Sequence, residues 1–395
     1  MGGIERAITI EDLRRRALRR LPRFLGDYIE RGAGNGDGVR RNIEAFASYL
    51  FLPRGLMPVA AVDTTRRLFG RSYAQGFGIA PVGGVGIFRR HGEEMLAEAA
   101  READIPFLLS GLSTSPIEKV ARLAPDHVWS QLYAAKDPAV TDRMVRRAQD
   151  AGVQVLVVTV DYPVANRSEV TARSGVSLAA GPDWRKAPAI VLDAMRHPAW
   201  TWEFVREGGM PVLESWQPYA AVGRTAPQVA AYVGSMWPAT LVWNDLETIR
   251  RLWPGRLIVK GLGHPADLSR AADLGADAAI VSSHGGNKLD CMAASIDLLA
   301  QAAPLVGDRL PLLFDGGIRR GADMVKAMAL GAQFCFVGRA TLYGVVGGGR
   351  AGAARAIDIL RSEAAYVQSM IGCPTLADVD RDMIAPKQAA GTLGN

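Results

Sequence analysis

Residues 280–290 read IVSSHGGNKLD and join a short apolar run, which begins at Ala278, to a histidine and two glycines. This pattern predicts a buried strand that delivers His284 into a glycine-lined loop. Glycine lets a backbone approach a ligand closely, and histidine is the side chain best suited to moving a proton near neutral pH. Taken alone, the stretch fits a core histidine followed by a turn equally well, so the rest of the chain has to decide between the two interpretations.

Short apolar runs alternate with helical patterns along most of the chain. Helices are predicted at 92–103, 139–151, 265–274 and 322–330, between strands predicted at 76–81, 107–110, 128–133, 155–161, 256–261, 278–284, 311–316 and 334–338. Eight such units favour a closed (β/α)8 TIM barrel of the α/β class over an open doubly wound sheet. The first strand is not followed by Gly-x-Gly-x-x-Gly, which disfavours a nicotinamide dinucleotide.

Three regions are predicted around this pattern. Residues 1–71 form an N-terminal helical cap, residues 72–374 the barrel, and residues 375–395 a C-terminal tail. Almost a hundred residues separate the fourth and fifth strands, and we interpret about 172–250 as a tryptophan-rich insertion. Long loops at this face of a barrel usually act as lids or docking surfaces. An insertion that only packs on the barrel is the alternative, and a membrane foot is the less favoured one.

The composition is that of an ordinary globular protein: 395 residues, 49% of them hydrophobic, with a net charge of +6. Six arginines between residues 14 and 23 are interpreted as a solvated helix face rather than a site for nucleic acid or lipid. The three cysteines show no metal spacing, which indicates a reducing compartment and no metal site. Neither a signal peptide nor a membrane-spanning run is evident, so a cytoplasmic location is expected.

Polar side chains recur at the C-terminal ends of the predicted strands, where groups converge on one site in a β/α barrel. The first strand ends in a bend at Ala80-Pro81-Val82, whose backbone can approach a flat ligand. Glycine turns with arginines after the last two strands fit a phosphate site. A lysine can stabilise negative charge on a reduced flavin ring. The other polar strand ends are Ser110, Gln131, Tyr133, Thr159, Asp161, Lys260, Ser282, His284, Asp315, Arg319 and Arg339.

These motifs resemble those of the FMN-dependent 2-hydroxy acid oxidase and dehydrogenase family, over nearly the whole chain. The matching segments are QLY at 131–133, TVD at 159–161, VKG at 259–261, SSHGG at 282–286, DGGIRRG at 315–321 and GRA at 338–340. RHPAW at 196–200 and IGCP at 371–374 are most similar to the mandelate dehydrogenase branch. The resemblance implies FMN, a small-molecule substrate, a homo-oligomer such as a tetramer, and no nucleic acid partner. It leaves the electron acceptor open between oxygen, a quinone and a carrier protein.

The resemblance also implies roles for individual residues. His284 would take the hydroxyl proton of the substrate while a hydride equivalent passes to flavin N5. Asp161 would hold the imidazolium, Tyr133 would hydrogen-bond the reacting oxygen, and Tyr28 would contact the substrate carboxylate. FMN would be bound by Ala80, Pro81, Val82, Ser110, Gln131, Thr159, Lys260, Ser282, Asp315, Gly317, Arg319, Gly338 and Arg339.

Two positions depart from the family pattern. The family pairs the substrate carboxylate with two arginines, where this chain has Asn287 and Ser168. Arginine gives a charge-assisted, bidentate contact that neither residue can replace. Removing one partner of a buried charge pair costs about 2–5 kcal/mol. Arg167 and Arg173 lie close in the sequence and could compensate.

Three hypotheses follow. The favoured one is a substrate without a free α-carboxylate: an amine, an alcohol, or a masked or carrier-bound hydroxy acid. Mycofactocin-associated flavin deaminases, which are similar to this family, also have asparagine at the position of Asn287. The second is a conventional (S)-mandelate-type dehydrogenase or oxidase, with Arg167 or Arg173 reaching the carboxylate. The third is a flavin-binding docking protein without turnover, against which the retained His284 and Asp161 argue.

Overall fold

Eight parallel strands close into a barrel in the computed structural model, which describes residues 3–164, 168–169, 176–177, 181–182, 187–220, 223–237 and 240–386. The barrel order is β4-β5-β6-β7-β10-β11-β12-β13, with β13 pairing back to β4. This confirms the predicted TIM barrel. The strands are β1 (Tyr49–Phe51), β2 (Arg66–Leu68), β3 (Arg71–Tyr73), β4 (Phe77–Ile79), β5 (Phe107–Leu109), β6 (Val128–Leu132), β7 (Val155–Thr159), β8 (Val176–Ser177), β9 (Gly181–Pro182), β10 (Arg256–Leu262), β11 (Ala278–Val281), β12 (Leu312–Asp315), β13 (Phe334–Val337) and β14 (Ile384–Pro386).

The barrel strands are short apolar runs because both of their faces are buried. Every residue of β7 and of β11 is buried. One face fills the barrel interior with side chains such as Trp129, Ile280 and Phe336, and the other packs under the helices. The predicted sixth strand extends to His284, whereas β11 ends at Val281. The three residues after β11 leave the sheet and carry functional groups instead.

Helices surround the barrel, and those at the N-terminal end of the chain cap it. The last helix is interrupted at Gly349, which has a φ of +61°. The helices are α1 (Ile10–Arg20), α2 (Arg23–Glu30), α3 (Asp37–Glu44), α4 (Val85–Phe88), α5 (Gly92–Glu102), α6 (Ile117–Leu123), α7 (Pro138–Asp150), α8 (Ala187–Met195), α9 (Pro198–Arg206), α10 (Ala226–Met236), α11 (Trp243–Leu252), α12 (Pro265–Asp273), α13 (Ser295–Val306), α14 (Gly321–Ala329) and α15 (Arg339–Met370).

The N-terminal segment is bonded to the loop that follows β11. The Asn42 side-chain oxygen of α3 accepts hydrogen bonds from Ser283 Oγ at 3.0 Å and from Ser295 N at 2.9 Å. Asp290 in turn accepts from the backbone N–H of Gly38 at 2.7 Å. Buried polar groups need such partners, so these bonds fix the loop of His284 against the start of the chain.

The segment between β7 and β10 packs on the barrel in part. Trp216 is fully buried, and its indole N–H donates to the Gly111 carbonyl at 2.9 Å. Trp200 is also buried and donates to the Ile87 carbonyl at 3.0 Å. The same segment exposes five large apolar side chains on α8 and α9, which together we call the α8–α9 apolar face: Val191, Leu192, Met195, Trp202 and Val205.

Candidate active site

His284 is turned into a cavity by the chain immediately after β11. Its φ of +53° lies in the left-handed region, which residues other than glycine seldom adopt. The hydroxyl of Ser282 accepts its backbone N–H at 3.0 Å. In the side chain, Nδ1 lies 3.0 and 3.1 Å from the two carboxylate oxygens of Asp161, and Nε2 lies 3.2 Å from the Tyr133 hydroxyl. Strained backbone held by specific bonds is common where a side chain must be aimed.

Asp161 sets the tautomer of His284. Burial raises the pKa of the Asp161 carboxyl, but the charges of His284, Lys260 and Lys288 outweigh it and lower that pKa to about 2. The group is therefore an ionised carboxylate, which can only accept hydrogen bonds. Nδ1 of His284 must carry a hydrogen, so in the neutral ring the lone pair lies on Nε2. That is the atom able to take a proton.

Tyr133 supplies a hydrogen-bond donor beside that atom. Burial, together with the Asp161 charge, raises the pKa of the Tyr133 phenol well above its usual value, so the hydroxyl keeps its proton. The Tyr133 ring packs edge-on against Trp237 at a centroid distance of 4.2 Å, and it is tilted against Tyr162 at 5.8 Å. These contacts fix the ring and make this side of the cavity aromatic.

A buried polar group lies at the ends of β10, β11 and β12. Lys260 is 3% exposed, and its ammonium lies 2.8 Å from Ser282 Oγ and 2.8 Å from a carboxylate oxygen of Asp315. A charge removed from water is tolerated when it is paired in this way. The arrangement presents a fixed positive charge to the cavity, which suits a flavin ring that becomes anionic on reduction.

Gln131 is held in one orientation at the end of β6. Its amide oxygen accepts the Gly111 N–H at 2.9 Å, and its amide N–H group donates to Thr159 at 3.0 Å. Ser110 lies within 3.4 Å of the same amide oxygen. An oriented amide with a neighbouring hydroxyl can complement the edge of a heterocyclic ring.

The turns after β12 and β13 carry glycine and arginine. Gly317 has a φ of +79°, and a β-carbon there would lie 2.0 Å from the Asn42 carbonyl oxygen, so only glycine allows this close approach. Arg339 donates to the carbonyls of Ile29, Gly285 and Arg31 at 2.9, 2.9 and 2.7 Å. Burial, and then the nearby Arg319, lowers the pKa of Arg339 to about 10, so it stays charged at neutral pH.

These groups surround a cavity of about 840 Å³, within the usual range for cofactor sites. The glycine turns, the buried Lys260 and the two arginines fit the ring and phosphate of FMN. Of the predicted site residues, Gln131, Thr159, Asp161 and Ser282 stand behind the lining, and Arg167 and Arg173 lie outside the described residues. The others line the cavity: Tyr28, Ala80, Pro81, Val82, Ser110, Tyr133, Ser168, Lys260, His284, Asn287, Asp315, Gly317, Arg319, Gly338 and Arg339.

Two cations of this cavity were not predicted. Arg31 lies with its guanidinium carbon 3.7 Å from the centre of the Tyr28 ring, and Lys288 has its ammonium 2.7 Å from the centre of the Tyr162 ring. Burial lowers the pKa of Lys288 to about 7. A signal was available: each cation lies within three residues of a predicted substrate contact, Tyr28 or Asn287, in a chain that lacks the family's arginines.

Comparison with known proteins finds relatives that agree with one another. A family model described as FMN-dependent dehydrogenase matches residues 17–386. An L-lactate dehydrogenase of Caulobacter sp. (strain K31) is 36% identical over 374 residues, 95% of this chain and 97% of that enzyme. A crystal structure of the monotopic membrane protein (S)-mandelate dehydrogenase has a TM-score of 0.90 at 34% identity, covering 96% of this chain and 100% of that one. A variant of mandelate oxidase has a TM-score of 0.79 at 28% identity, covering 96% and 98%.

These relatives bear on the three hypotheses. They do not support the favoured hypothesis of a substrate without a free carboxylate, and they fit a conventional 2-hydroxy acid enzyme better. They are enzymes, which leaves the hypothesis of a docking protein without turnover unsupported. One of them is membrane-associated, although no helix in the described ranges of this chain is long and apolar enough to cross a bilayer.

Proposed function

The chain belongs to the FMN-dependent dehydrogenase family, and from that premise we propose that it oxidises (S)-2-hydroxy acids to 2-oxo acids. The observation that carries this proposal is the hydrogen-bonded series of Asp161, His284 and Tyr133 at the cavity wall. It gives the cavity one proton acceptor and one proton donor side by side. Oxidation of a secondary alcohol to a ketone needs such an acceptor for its hydroxyl proton.

The chain's own residues would handle the proton. His284 Nε2 takes it from the substrate hydroxyl, and Asp161 stabilises the imidazolium that results. Tyr133 donates a hydrogen bond to the same oxygen as the carbon–oxygen double bond forms. Lys260, Gln131, Arg319 and the glycine turns would hold FMN. When bound, FMN supplies the acceptor for the hydrogen and electron pair of the substrate C–H bond, and an external oxidant then reoxidises it.

The lining favours an aromatic or bulky apolar substituent on the substrate. Tyr162, Trp237, Val233 and Leu213 line the cavity with His284. A wall of this kind gains free energy from apolar surface, at about 25 cal/mol for each Å² removed from water. A phenyl group buries far more such surface than the methyl group of lactate. We therefore expect mandelate to be a better substrate than lactate.

Anaerobic mixing of the purified yellow holoenzyme with (S)-mandelate tests this function. Bleaching of the flavin absorbance is expected with (S)-mandelate, more slowly with (S)-lactate, and not with (R)-mandelate. Dithionite serves as the control, because it reduces a bound flavin whatever the substrate preference. A flavin that dithionite bleaches and that none of several (S)-2-hydroxy acids bleaches would overturn the proposal.

A masked acid, such as the amide of mandelate, is the second candidate. Asn287 replaces an arginine of the family, and its side-chain oxygen is buried with no hydrogen-bond partner in the described part of the chain. The mandelate oxidase variant, in which leucine replaces an arginine, was solved with 2-hydroxy-phenylacetamide. (S)-mandelamide under the same anaerobic conditions is the test. Faster bleaching by mandelamide than by mandelate would favour this candidate over the acid.

We further propose that the α8–α9 apolar face rests on the cytoplasmic surface of a membrane. Trp202 is 69% exposed and Met195 is 69% exposed, which is unusual for large apolar side chains. Arg196, next to Met195, and Arg23 of helix α2, whose guanidinium is 3.8 Å from the Asp27 carboxylate, are exposed as well. Apolar side chains flanked by cations suit an anionic lipid interface.

Sedimentation with vesicles tests the membrane contact. Wild-type protein is expected to pellet with vesicles that contain phosphatidylglycerol, and the Leu192→Ser/Trp202→Ser variant is expected to remain in solution. Leu305→Ser is the matched control, because Leu305 is exposed on α13, outside this face. Wild-type protein that stays in solution would contradict the contact. A homo-oligomer is proposed on the family resemblance alone, and light scattering measures it.

A further inference from the structure

The cavity retains positive charge although both arginine positions of the family are lost. Asn287 and Ser168 occupy those positions, and both line the cavity. Arg31 and Lys288 line it as well, with His284. Neither cation lies at a position where the family has its arginines. In this chain, other residues of the same cavity therefore carry the positive charge.

Lys288 is a partly buried ammonium that lacks an anion in contact. Within the described ranges it makes no hydrogen bond and no ion pair within 4.0 Å, and its contact is the face of the Tyr162 ring at 2.7 Å. Removing an ammonium from water is unfavourable unless a partner compensates for the loss. The carboxylate whose charge acts on Lys288, that of Asp161, is hydrogen-bonded to His284. An anion brought into the cavity would supply the missing partner.

Arg31 lines the same cavity as Lys288. The Arg31 guanidinium is stacked on the Tyr28 ring. Its charge contributes to lowering the pKa of Lys288, so the two cations repel each other electrostatically. Stacking on an aromatic ring suits arginine, since it fixes the guanidinium plane while the N–H groups at its edge remain oriented. Two cations held near one another bind a carboxylate more tightly than either alone.

We propose that Arg31 and Lys288 bind the carboxylate of the 2-hydroxy acid, in place of the arginines that the family has at the positions of Asn287 and Ser168. This inference rests on the proposed function, because it assigns the acid group of that substrate. The hydroxyl of the substrate would then face His284 and Tyr133. The ligand class is an α-hydroxy monocarboxylate with an apolar substituent.

Binding through Lys288 has a pH dependence that arginine would not give. The charge of Asp161 raises the pKa of Lys288 and that of Arg31 lowers it. The other titratable groups that line the same cavity are Tyr28, Tyr133, Tyr162, Glu169, Lys260, His284, Asp315, Arg319 and Arg339. The pKa of Lys288 is about 7 in the free enzyme, and a carboxylate binds its protonated form. The Kd is therefore expected to be constant below pH 7 and to rise above it, by about 10- to 100-fold in all, to the value for an uncharged Lys288. With Lys288→Arg the Kd should stay constant, because arginine does not titrate in this range.

The test uses the FMN-loaded enzyme and two ligands that cannot react, phenylacetate and phenylacetamide. They differ in charge and have the same phenyl group, and each Kd is measured from the change in flavin absorbance. Lys288→Gln and Arg31→Gln are each expected to weaken phenylacetate about 10- to 100-fold, the usual range for a charge-assisted hydrogen bond. Phenylacetamide should change less than about twofold. Lys136→Gln, at an exposed lysine outside the cavity, is the matched control for both ligands.

Phenylacetate binding that neither variant changes would overturn the inference, as would equal losses for the acid and the amide. Lys288→Arg guards against a folding defect, since it keeps the charge and should restore phenylacetate binding in a variant that retains its flavin. Failure of the proposed function gives a different result, because (S)-mandelate then leaves the wild-type flavin yellow whatever phenylacetate does.

Discussion

The two sides of the active-site cavity are built differently. On the proton-transfer side (Tyr133, Asp161 and His284), each functional group has a hydrogen-bond partner in the chain itself. On the cationic side (Tyr28, Arg31, Asn287 and Lys288), the Asn287 oxygen is buried without a partner among the described residues, and Lys288 contacts a ring rather than an anion. The side to which we assign proton transfer therefore has its hydrogen-bond partners within the chain. The side to which we assign the substrate carboxylate leaves polar groups that a ligand could pair with.

Replacing His284 by asparagine should have the largest effect of these variants, because it removes the proposed proton acceptor from the proton-transfer side. Flavin reduction by (S)-mandelate should slow by about 10²–10⁴-fold, the usual contribution of a general base. FMN should stay bound, because its proposed contacts lie elsewhere in the cavity. Anaerobic stopped-flow absorbance measures the rate, and the flavin spectrum checks occupancy. Reduction at the wild-type rate would remove His284 from its assigned role.

Asp161→Asn should lower the free energy of unfolding and show how much the Asp161 charge stabilises the proton-transfer side. Because the folded state depresses the pKa of Asp161 to about 2, its stabilisation is complete above the unfolded value of about 4 and is lost as pH falls toward 2. Urea unfolding should show wild type more stable than the variant by on the order of 2 kcal/mol from pH 7 to 5, with the difference shrinking below pH 4. Asp273→Asn, at an exposed aspartate, is the control. A difference that does not depend on pH would mean that lost packing, not charge, accounts for it.

Asn287→Arg restores an arginine of the family to the cationic side. It should lower the KM for (S)-mandelate about tenfold, the range of one charge-assisted bond. Asn287→Gln is the neutral control and should leave KM nearly unchanged. If the arginine has no effect either, the shape of the cavity rather than its charge limits the binding of simple 2-hydroxy acids.

Tyr28→Phe should have the smallest effect. The variant keeps the ring on which Arg31 stacks and loses the hydroxyl assigned to the carboxylate. One neutral hydrogen bond is worth about 0.5–1.5 kcal/mol, so KM should rise a few-fold with little change in kcat. Tyr28→Ala removes the stacking as well and should raise KM further. Equal effects of the two variants would show that the ring contributes nothing to the position of Arg31.

The barrel was predictable because its strands carry a signal in the sequence itself. Strands buried on both faces read as continuous apolar runs, and β7 and β11 are examples. The exact strand ends were less predictable, since a polar residue after the run can extend the sheet or leave it. The two-stranded sheets outside the barrel have no such apolar runs in the sequence. The strand β1 pairs with β14, more than three hundred residues later, and each is three residues long.

The same reasoning explains which site residues were predictable. His284, Asp161 and Tyr133 each follow a barrel strand, so the fold alone brings them to one end of the barrel. Arg31 follows helix α2, and Lys288 lies farther along the loop after β11, so neither is at a strand end. Their direction is set by packing on Tyr28 and Tyr162, which depends on how distant segments meet. No local pattern encodes that.

The hydrogen bonds that the Arg339 side chain donates to backbone carbonyls also bear on when the site can form during protein synthesis. Its guanidinium joins the carbonyls of Ile29 and Arg31 to that of Gly285, beside His284. Ile29 is translated 310 residues before Arg339. A nascent chain that stops short of Arg339 already contains Tyr133, Asp161 and His284 but lacks the donor that joins the loop after β11 to the end of α2. The ribosome must therefore pass β13, the last strand of the barrel, before this part of the cavity wall can be joined.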